Sequence, residues 1–523
     1  MSRSRLAAMV AWLALGALAA VVYRPDRPLP FDVWDFREFL PILQARQGLL
    51  DRYVGLLGYY TSHGRMNPLF YFTFALQYQA FGENAYLWQL ARFALMWVDV
   101  GLVMVLARRL GMGATGAALA GGLLVVATPA VRGWVQLMAE PMALAALLVA
   151  ALAAVEYQVV ERYGWRAAVI ALCVLAALLS KEVVGGLGAA VVLFAVTGWS
   201  RPPGAGARWF SRRNLVLASA TLLAAVAVGA MILVIRSGDQ ATGYGMAYGS
   251  APLSAGRYVG NVVASTEVVH PEGRAAMGLL YPANLLVLLM VLLGLAAAVR
   301  RGVARRRLAL AVGLGMLPPV LGALLYLPWP KFDAFYGLPL FVGPALLMGA
   351  ACDALVRSRG ARRWLAVVAS VLTLGYAAIP ASRSTEIAAA ALVLNEQIAR
   401  TLAALPPGDT VLVMGPTAGP RVLTVRADEL RDYAVARRFA DPAELPTVVD
   451  TPCERYFEVG LLDRPSMAAL TYSYGCGTFP TSDVEFTAPF AWRDWISLER
   501  MVDSLKADLS GAAVRRAGLQ TPP

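Results

Sequence analysis

The first concentration of reactive side chains is Phe31-Asp32-Val33-Trp34-Asp35-Phe36-Arg37-Glu38. Behind these carboxylates Phe36, Phe39, Leu40 and Leu43 recur at helical spacing, with Arg37, Gln44 and Arg46 elsewhere. That is the pattern of an amphipathic helix lying along a membrane surface, and Trp34 suits the headgroup belt. A carboxylate at the head of such a helix sits where a lipid-borne substrate presents its polar end. Asp35 could there act as general base on an acceptor hydroxyl, with Asp32 and Glu38 beside it to bind substrate. The same four residues, Asp35 to Glu38, also read as a capping box, in which Asp35 bonds the first backbone N–H groups and Glu38 reaches back. These residues alone leave both readings open.

Further along, Ser62-His63-Gly64-Arg65-Met66-Asn67-Pro68-Leu69 precedes an aromatic-rich helix ending at Phe81-Gly82. His63 could bind a substrate hydroxyl or phosphate and Arg65 could pair with phosphate; a solvated turn at Asn67-Pro68 is the plainer reading. Glu140 opens an apolar segment, where an acid is costly unless paired, hydrated or used, although a first-turn Glu before Pro141 also favours the helix dipole. The chain has three lysines, Lys181, Lys331 and Lys506; every other basic residue apart from two histidines is Arg. Lys181, next to Glu182, and Lys331 both fall at outer helix ends. A compact ammonium there suits a phosphate oxygen, or snorkels to the interface.

The elements that must position these groups are membrane helices. Of 523 residues, 58% are hydrophobic and 15% charged, and the mean hydropathy is +0.58. Soluble proteins are about 45–50% apolar and about 25% charged, so a plain cytosolic enzyme and a disordered chain are both excluded. Net charge is +12, unevenly spread: residues 1–380 carry 32 basic and 16 acidic side chains, residues 381–523 carry 14 and 18. The basicity belongs to the membrane part and reflects orientation, not nucleic-acid binding.

Apolar runs at about 6–23, 85–107, 112–130, 134–155, 166–180, 183–198, 214–235, 276–299, 308–327, 335–356 and 364–380 predict about eleven spans, the fifth and sixth short enough that one is tilted, broken or re-entrant. Arginine clusters at 3–5, 108–109, 201–213, 300–307 and 357–363 then all face one side, placing the N-terminus in the cytoplasm and the tail outside, at a cell inner (plasma) membrane. The first run is read as a retained anchor, a cleaved signal peptide being the alternative. The expected fold is an all-α polytopic membrane protein, residues 1–380, with a first outer loop at 24–84. Residues 381–523 follow as a small extracytoplasmic α/β domain, with a helix from Thr385 to Leu405 and strands at Thr410–Met414 and Thr447–Val449. Cys453 and Cys476 fall outside, in an oxidising compartment that allows a disulfide between them, two free thiols being the alternative. No zinc spacing, Walker A loop, GxGxxG turn or haem site occurs.

In order along residues 5–360, these features resemble the C-type membrane glycosyltransferases (the GT-C fold), especially the aminoarabinose transferases acting on lipid A and the protein O-mannosyltransferases. Asp35 and Gly48 have the family's thirteen-residue spacing. Asn67-Pro68-Leu69 and Phe81-Gly82 stand where the family has Pro-Pro-Leu and Phe-Gly. Glu140 resembles its later acid, and Leu179-Ser180-Lys181-Glu182 its Leu-Thr-Lys-Gly. Lys331, Tyr336, Leu338-Pro339-Leu340 and Pro344 resemble its Lys…Tyr…Leu-Pro-Leu…Pro. Phe36, Asn67 and Glu182 depart from the family pattern. The resemblance implies a polyprenyl-phosphate-linked sugar donor, a glycan, lipid or protein hydroxyl as acceptor, and inversion at the anomeric carbon. It implies Asp35 as base, Lys181, Lys331 and Arg65 on the lipid phosphate, and Glu140 orienting the sugar or acceptor. The residues call for no metal site and no certain cofactor, although Asp35 and Glu140 together could hold a divalent cation through oxygen ligands. The alternatives are a polysaccharide or lipid-linked oligosaccharide transporter or flippase, which needs polar side chains within the spans (Asp99 is the clearest), and a noncatalytic scaffold whose tail binds cell-wall glycan.

Overall fold

The computed structural model describes residues 3–26, 31, 33–63, 65–135, 139–158, 163–197, 211–237, 254–269, 281–301, 305–327, 336–358, 360–404, 410–411, 421–439, 441, 447–448, 456–464, 467–472 and 486–490. Its helices run α1 (Arg3–Tyr23), α2 (Val33–Gln44), α3 (Leu49–Ser62), α4 (Pro68–Phe81), α5 (Ala85–Arg109), α6 (Ala114–Val126), α7 (Thr128–Val135), α8 (Glu140–Val155) and α9 (Tyr163–Ser180). They continue as α10 (Glu182–Gly185), α11 (Gly188–Thr197), α12 (Arg212–Ser237), α13 (Ala255–Ala264), α14 (Pro282–Arg300), α15 (Arg305–Leu325), α16 (Gly337–Val356), α17 (Ala361–Ala404) and α18 (Ala427–Ala436).

Among the described residues, seven helices are long and apolar enough to cross a membrane by length and composition: Leu6–Tyr23, Ala85–Arg109, Tyr163–Ser180, Arg212–Met231, Pro282–Arg300, Gly337–Val356 and Ala361–Ser382. This is the make-up of a multi-pass membrane protein. Of the other four runs read as spans, three are shorter helices, Ala114–Val126, Glu140–Val155 and Gly188–Thr197, and the fourth is the apolar part of α15, Ala311–Leu325. Two breaks account for much of the shortening. Ala127 adopts extended backbone (ψ 142°) and ends α6, so that α7 starts afresh at Thr128. The run at 183–198 divides into α10 and α11.

The chain divides into two compact units. The first comprises Met1–Asp26, Leu49–Gly82 and Leu87–Ser382. Its centre is α16, wrapped by α6, α14 and α15, with Leu338, Phe341, Ala345 and Cys352 all fully buried. Small residues allow the close crossing of α6 and α16: a Cβ built on Gly349 would lie 2.5 Å from the Gly116 carbonyl oxygen. Buried Asn284 accepts the N–H groups of Val268 (2.9 Å) and Val269 (3.1 Å) and donates to the Val269 carbonyl (2.7 Å). The turn after α13 is thereby tied to α14 with its backbone satisfied.

The second unit comprises Arg27–Gly48, Glu83–Tyr86 and Arg383–Pro523. Strands β1 (Thr410–Val411) and β3 (Thr447–Val448) pair in parallel. Strands β2 (Arg421–Arg426), β4 (Tyr456–Arg464), β5 (Met467–Tyr472) and β6 (Phe486–Phe490) form an antiparallel sheet in that order. Helix α18 follows β2 directly and packs on α2. Cys453 and Cys476 lie outside the described residues, so their pairing does too.

Candidate functional site

In the first unit the structure gathers Glu140, Lys181 and Tyr336 from three separate segments. Glu140 is the first residue of α8, followed by Pro141, and is 0% exposed. A carboxylate at this position gains from the N-terminal partial charge of the helix. The Lys181 ammonium lies 3.4 Å from Glu140 Oε1. The pair is in Coulombic contact without hydrogen-bond alignment, and neither Glu140 oxygen has a hydrogen-bond partner among the described residues. The buried acid therefore has its charge balanced and its lone pairs uncommitted. Lys181 also sits 5.8 Å from the centroid of the Tyr336 ring, a cation–π contact. Tyr336 stacks on Tyr326 at 4.6 Å and 22°.

Local structure explains how Lys181 reaches this place. Its N–H donates to the Ala177 carbonyl (2.9 Å), closing α9, and the Ser180 hydroxyl donates to Ala176 (2.8 Å). The chain then doubles back through α10 so tightly that a Cβ on Gly185 would lie 2.5 Å from Leu178 Cα. Only glycine fits that approach.

The same unit holds an apolar cavity of about 260 Å³, lined by residues that include Leu144, Leu147, Leu187, Val191, Val342 and Leu346; Glu140, Lys181 and Tyr336 are outside its lining, with Leu144 one turn after Glu140 on α8. Leu147 and Leu187 also pack in the cluster holding Tyr326 and Tyr336. Glu140 and Tyr336 stand at the N-terminal ends of α8 and α16, whose following turns form the walls. Asp353, also in the lining, accepts the Gly113 N–H (2.7 Å) and pairs with Arg357 (2.8 Å). An oily slot of this kind fits a hydrocarbon chain.

No protein-family model matches the sequence. No curated protein matches it either. Solved structures are similar to it. ArnT from Cupriavidus metallidurans bound to undecaprenyl phosphate is similar at TM-score 0.49 and 14% identity, over 86% of this chain and 87% of that one. Its apo state gives TM-score 0.49 and 13% identity, over 85% and 87%. The archaeal oligosaccharyltransferase AglB from Archaeoglobus fulgidus, in complex with an inhibitory peptide and a dolichol-phosphate, gives TM-score 0.36 and 11% identity, over 86% of this chain and 61% of that one.

The remaining candidates are placed as follows. His63 is exposed at the turn after α3, its ring Nδ1 donating to the Tyr59 carbonyl (2.7 Å) and its ring 4.4 Å from that of Tyr59. Arg65 lies 5.7 Å from the Tyr60 ring centroid. Asp32 and Lys331 lie outside the described residues, and for Glu182 the backbone alone is described, as the start of α10.

In the second unit, Asp35 is the third residue of α2, with its backbone alone described, and Glu38 pairs with Arg37 at 3.8 Å. The capping-box reading is corrected here. Helix α2 starts at Val33, so Asp35 lies within the first turn instead of capping it. The surface-helix reading is corrected as well. Phe36, Phe39, Leu40 and Leu43 do share one face, but they are buried, and protein from α18 packs on the helix. A 12-residue helix is marginal alone and takes its stability from whatever apolar surface covers that face.

Among the described residues no three His, Cys, Asp or Glu side chains gather as a metal site. Of the two carboxylates that could hold a divalent cation, Glu140 is described with its side chain and Asp35 with its backbone alone. Sequence reasoning missed Tyr326, Tyr433 and Arg437. An isolated Tyr ten residues before Tyr336 carries no motif, and contacts between α2 and α18 span some 400 positions.

Proposed function

We propose that this protein is an integral membrane glycosyltransferase. It moves a sugar from a polyprenyl-phosphate donor to an acceptor hydroxyl on the extracytoplasmic face, with inversion. The observation that carries this reading is the buried Glu140–Lys181 pair on the Tyr336 ring, at the heads of two helices, α8 and α16, whose later turns line an apolar cavity. The sequence resemblance described above points the same way.

The isoprenoid chain enters the cavity and its phosphate meets Lys181, Lys331 and Arg65. Lys181 can turn from Glu140 towards a phosphate oxygen because its ammonium is held by attraction alone and not by an aligned hydrogen bond. Glu140, with both oxygens uncommitted, accepts hydrogen bonds from hydroxyls of the sugar or acceptor. Asp35 takes the proton of the acceptor hydroxyl as its oxygen attacks the anomeric carbon. The bond from that carbon to the phosphate oxygen breaks on the opposite face, and the lipid phosphate leaves with its charge stabilised by the ammonium groups. His63, Tyr336, Asp32, Glu38 and Glu182 complete the binding of sugar, phosphate and acceptor. In this reading the seven long helices and the four other apolar runs make eleven crossings, with the N-terminus cytoplasmic and residues 381–523 forming an outer α/β domain.

The test is turnover of a panel of polyprenyl-phosphate sugars by the reconstituted full chain, followed as released polyprenyl phosphate. At least one donor is expected to be consumed in the presence of a hydroxyl acceptor. No release from any donor, together with transfer of intact lipid-linked sugar between bilayer leaflets, would overturn the reading in favour of a flippase.

A further inference from the structure

We infer that Tyr433 and Arg437, in and just after α18, are positioning residues for the transfer reaction, acting by fixing the helix that carries Asp35. This rests on the general-base reading of Asp35 above.

Both ends of α2 are clamped within the second unit. At the start, the Tyr433 hydroxyl shares its hydrogen between the Phe31 carbonyl (3.2 Å) and the Glu396 carboxylate (3.4 Å). The Phe31 ring stacks on Phe36 at 3.9 Å, and the Arg437 guanidinium lies 5.1 Å from its centroid. Arg437 also faces the Phe439 ring at 5.7 Å and pairs with Glu83 at 3.6 Å. At the far end, the Gln44 side-chain amide donates to Glu83 (2.7 Å) and to the Ala436 carbonyl (2.9 Å). Position 35 lies between these two fastenings. Tyr433 is 0% exposed and the Arg437 side chain 14%.

The turn that builds the clamp is itself specific. The Phe439 N–H donates to the Ala434 carbonyl (2.9 Å) and the Arg438 N–H to Val435 (2.9 Å). Arg438 takes φ +54°, the left-handed position of a Schellman motif that glycine usually fills. A non-glycine residue persists there when its surroundings over-determine the conformation. The result is that Phe439 folds back onto Arg437 and Tyr433, closing the cation between two rings. A proton acceptor displaced by about 1 Å can lose on the order of 10²-fold in rate, so a clamp on a short helix bearing the base bears directly on turnover.

The experiment uses the full chain, with Tyr433→Phe, Arg437→Leu and Arg437→Lys made alone and in the Asp35→Asn background. Tyr433→Phe and Arg437→Leu are expected to lower kcat by about ten- to a hundredfold, with the KM for the lipid donor nearly unchanged. Arg437→Lys, which keeps the charge facing Glu83, recovers part of that loss. In the Asp35→Asn background the same changes produce no further loss of the residual rate, because they act through Asp35. Unchanged kcat in both single variants, with Asp35→Asn inactive, overturns this inference and leaves the general base standing. Losses of equal size in both backgrounds overturn it too, since they mark a purely structural role. Full activity of Asp35→Asn overturns the general-base reading itself. If Arg437→Leu does not fold, Tyr433→Phe removes a single oxygen and gives the same readout.

Discussion

Asp35→Asn is expected to lower turnover of the lipid-linked sugar by on the order of 10²–10⁴-fold, the usual contribution of a general base, while leaving donor binding and folding intact. Asn keeps the size and hydrogen-bonding capacity of the side chain but cannot take the acceptor proton at neutral pH. The structural cost is small: Asp35 lies in the first turn of α2, where a negative charge is worth about 0.3–1 kcal/mol to a helix. The rate effect thus exceeds any stability effect by a wide margin, and the two separate cleanly. The measurement is kcat alongside the thermal unfolding midpoint of the purified variant. A loss of activity matched by loss of folded protein would assign Asp35 to the helix and not to the chemistry.

The second large effect concerns the buried pair. Lys181→Met leaves Glu140, which is 0% exposed, with no positive partner among the described residues. Removing one member of a buried ion pair costs about 3–5 kcal/mol, so the single variant should unfold at a markedly lower temperature. The double variant Glu140→Gln with Lys181→Met removes both charges and should regain much of that stability, yet stay well below wild-type turnover because the lipid phosphate has lost the Lys181 ammonium and keeps Lys331 and Arg65 alone. Glu140→Gln alone should be the mildest, since the Lys181 side chain is 16% exposed and its ammonium can reach water. Thermal unfolding and donor turnover on all four forms check this. Equal stability of the two single variants would contradict the asymmetry.

The helices were legible because apolar runs of membrane length have few alternatives. The limits of that signal show at Ala127 and Gly185, where a local break shortens a helix inside an unbroken apolar run. The period of Phe36, Phe39, Leu40 and Leu43 gave α2 and its buried face, but a periodic pattern does not say what covers it. Lipid and α18 satisfy the same apolar stripe equally well. At the site, Glu140 and Lys181 were visible separately, as an acid at the start of an apolar segment and as one of three lysines. Their contact is not visible there, since 41 positions separate them and neither residue type names its partner. Tyr326 was invisible because an aromatic residue in an apolar helix end carries no sign of its stacking partner.

The most direct test of the central claim, that the charged cluster and its cavity hold a lipid phosphate, is a thermal-shift titration of the full chain with three ligands. Polyprenyl phosphate, the matching polyprenol and inorganic phosphate separate head from tail. The account predicts a saturable rise in unfolding temperature with polyprenyl phosphate, corresponding to a stabilisation on the order of 2.7 kcal/mol at a hundred times Kd. The rise should be much smaller with either half alone, and lost in the Glu140→Gln, Lys181→Met form. An equal rise with polyprenol, or one that survives the double substitution, would contradict it.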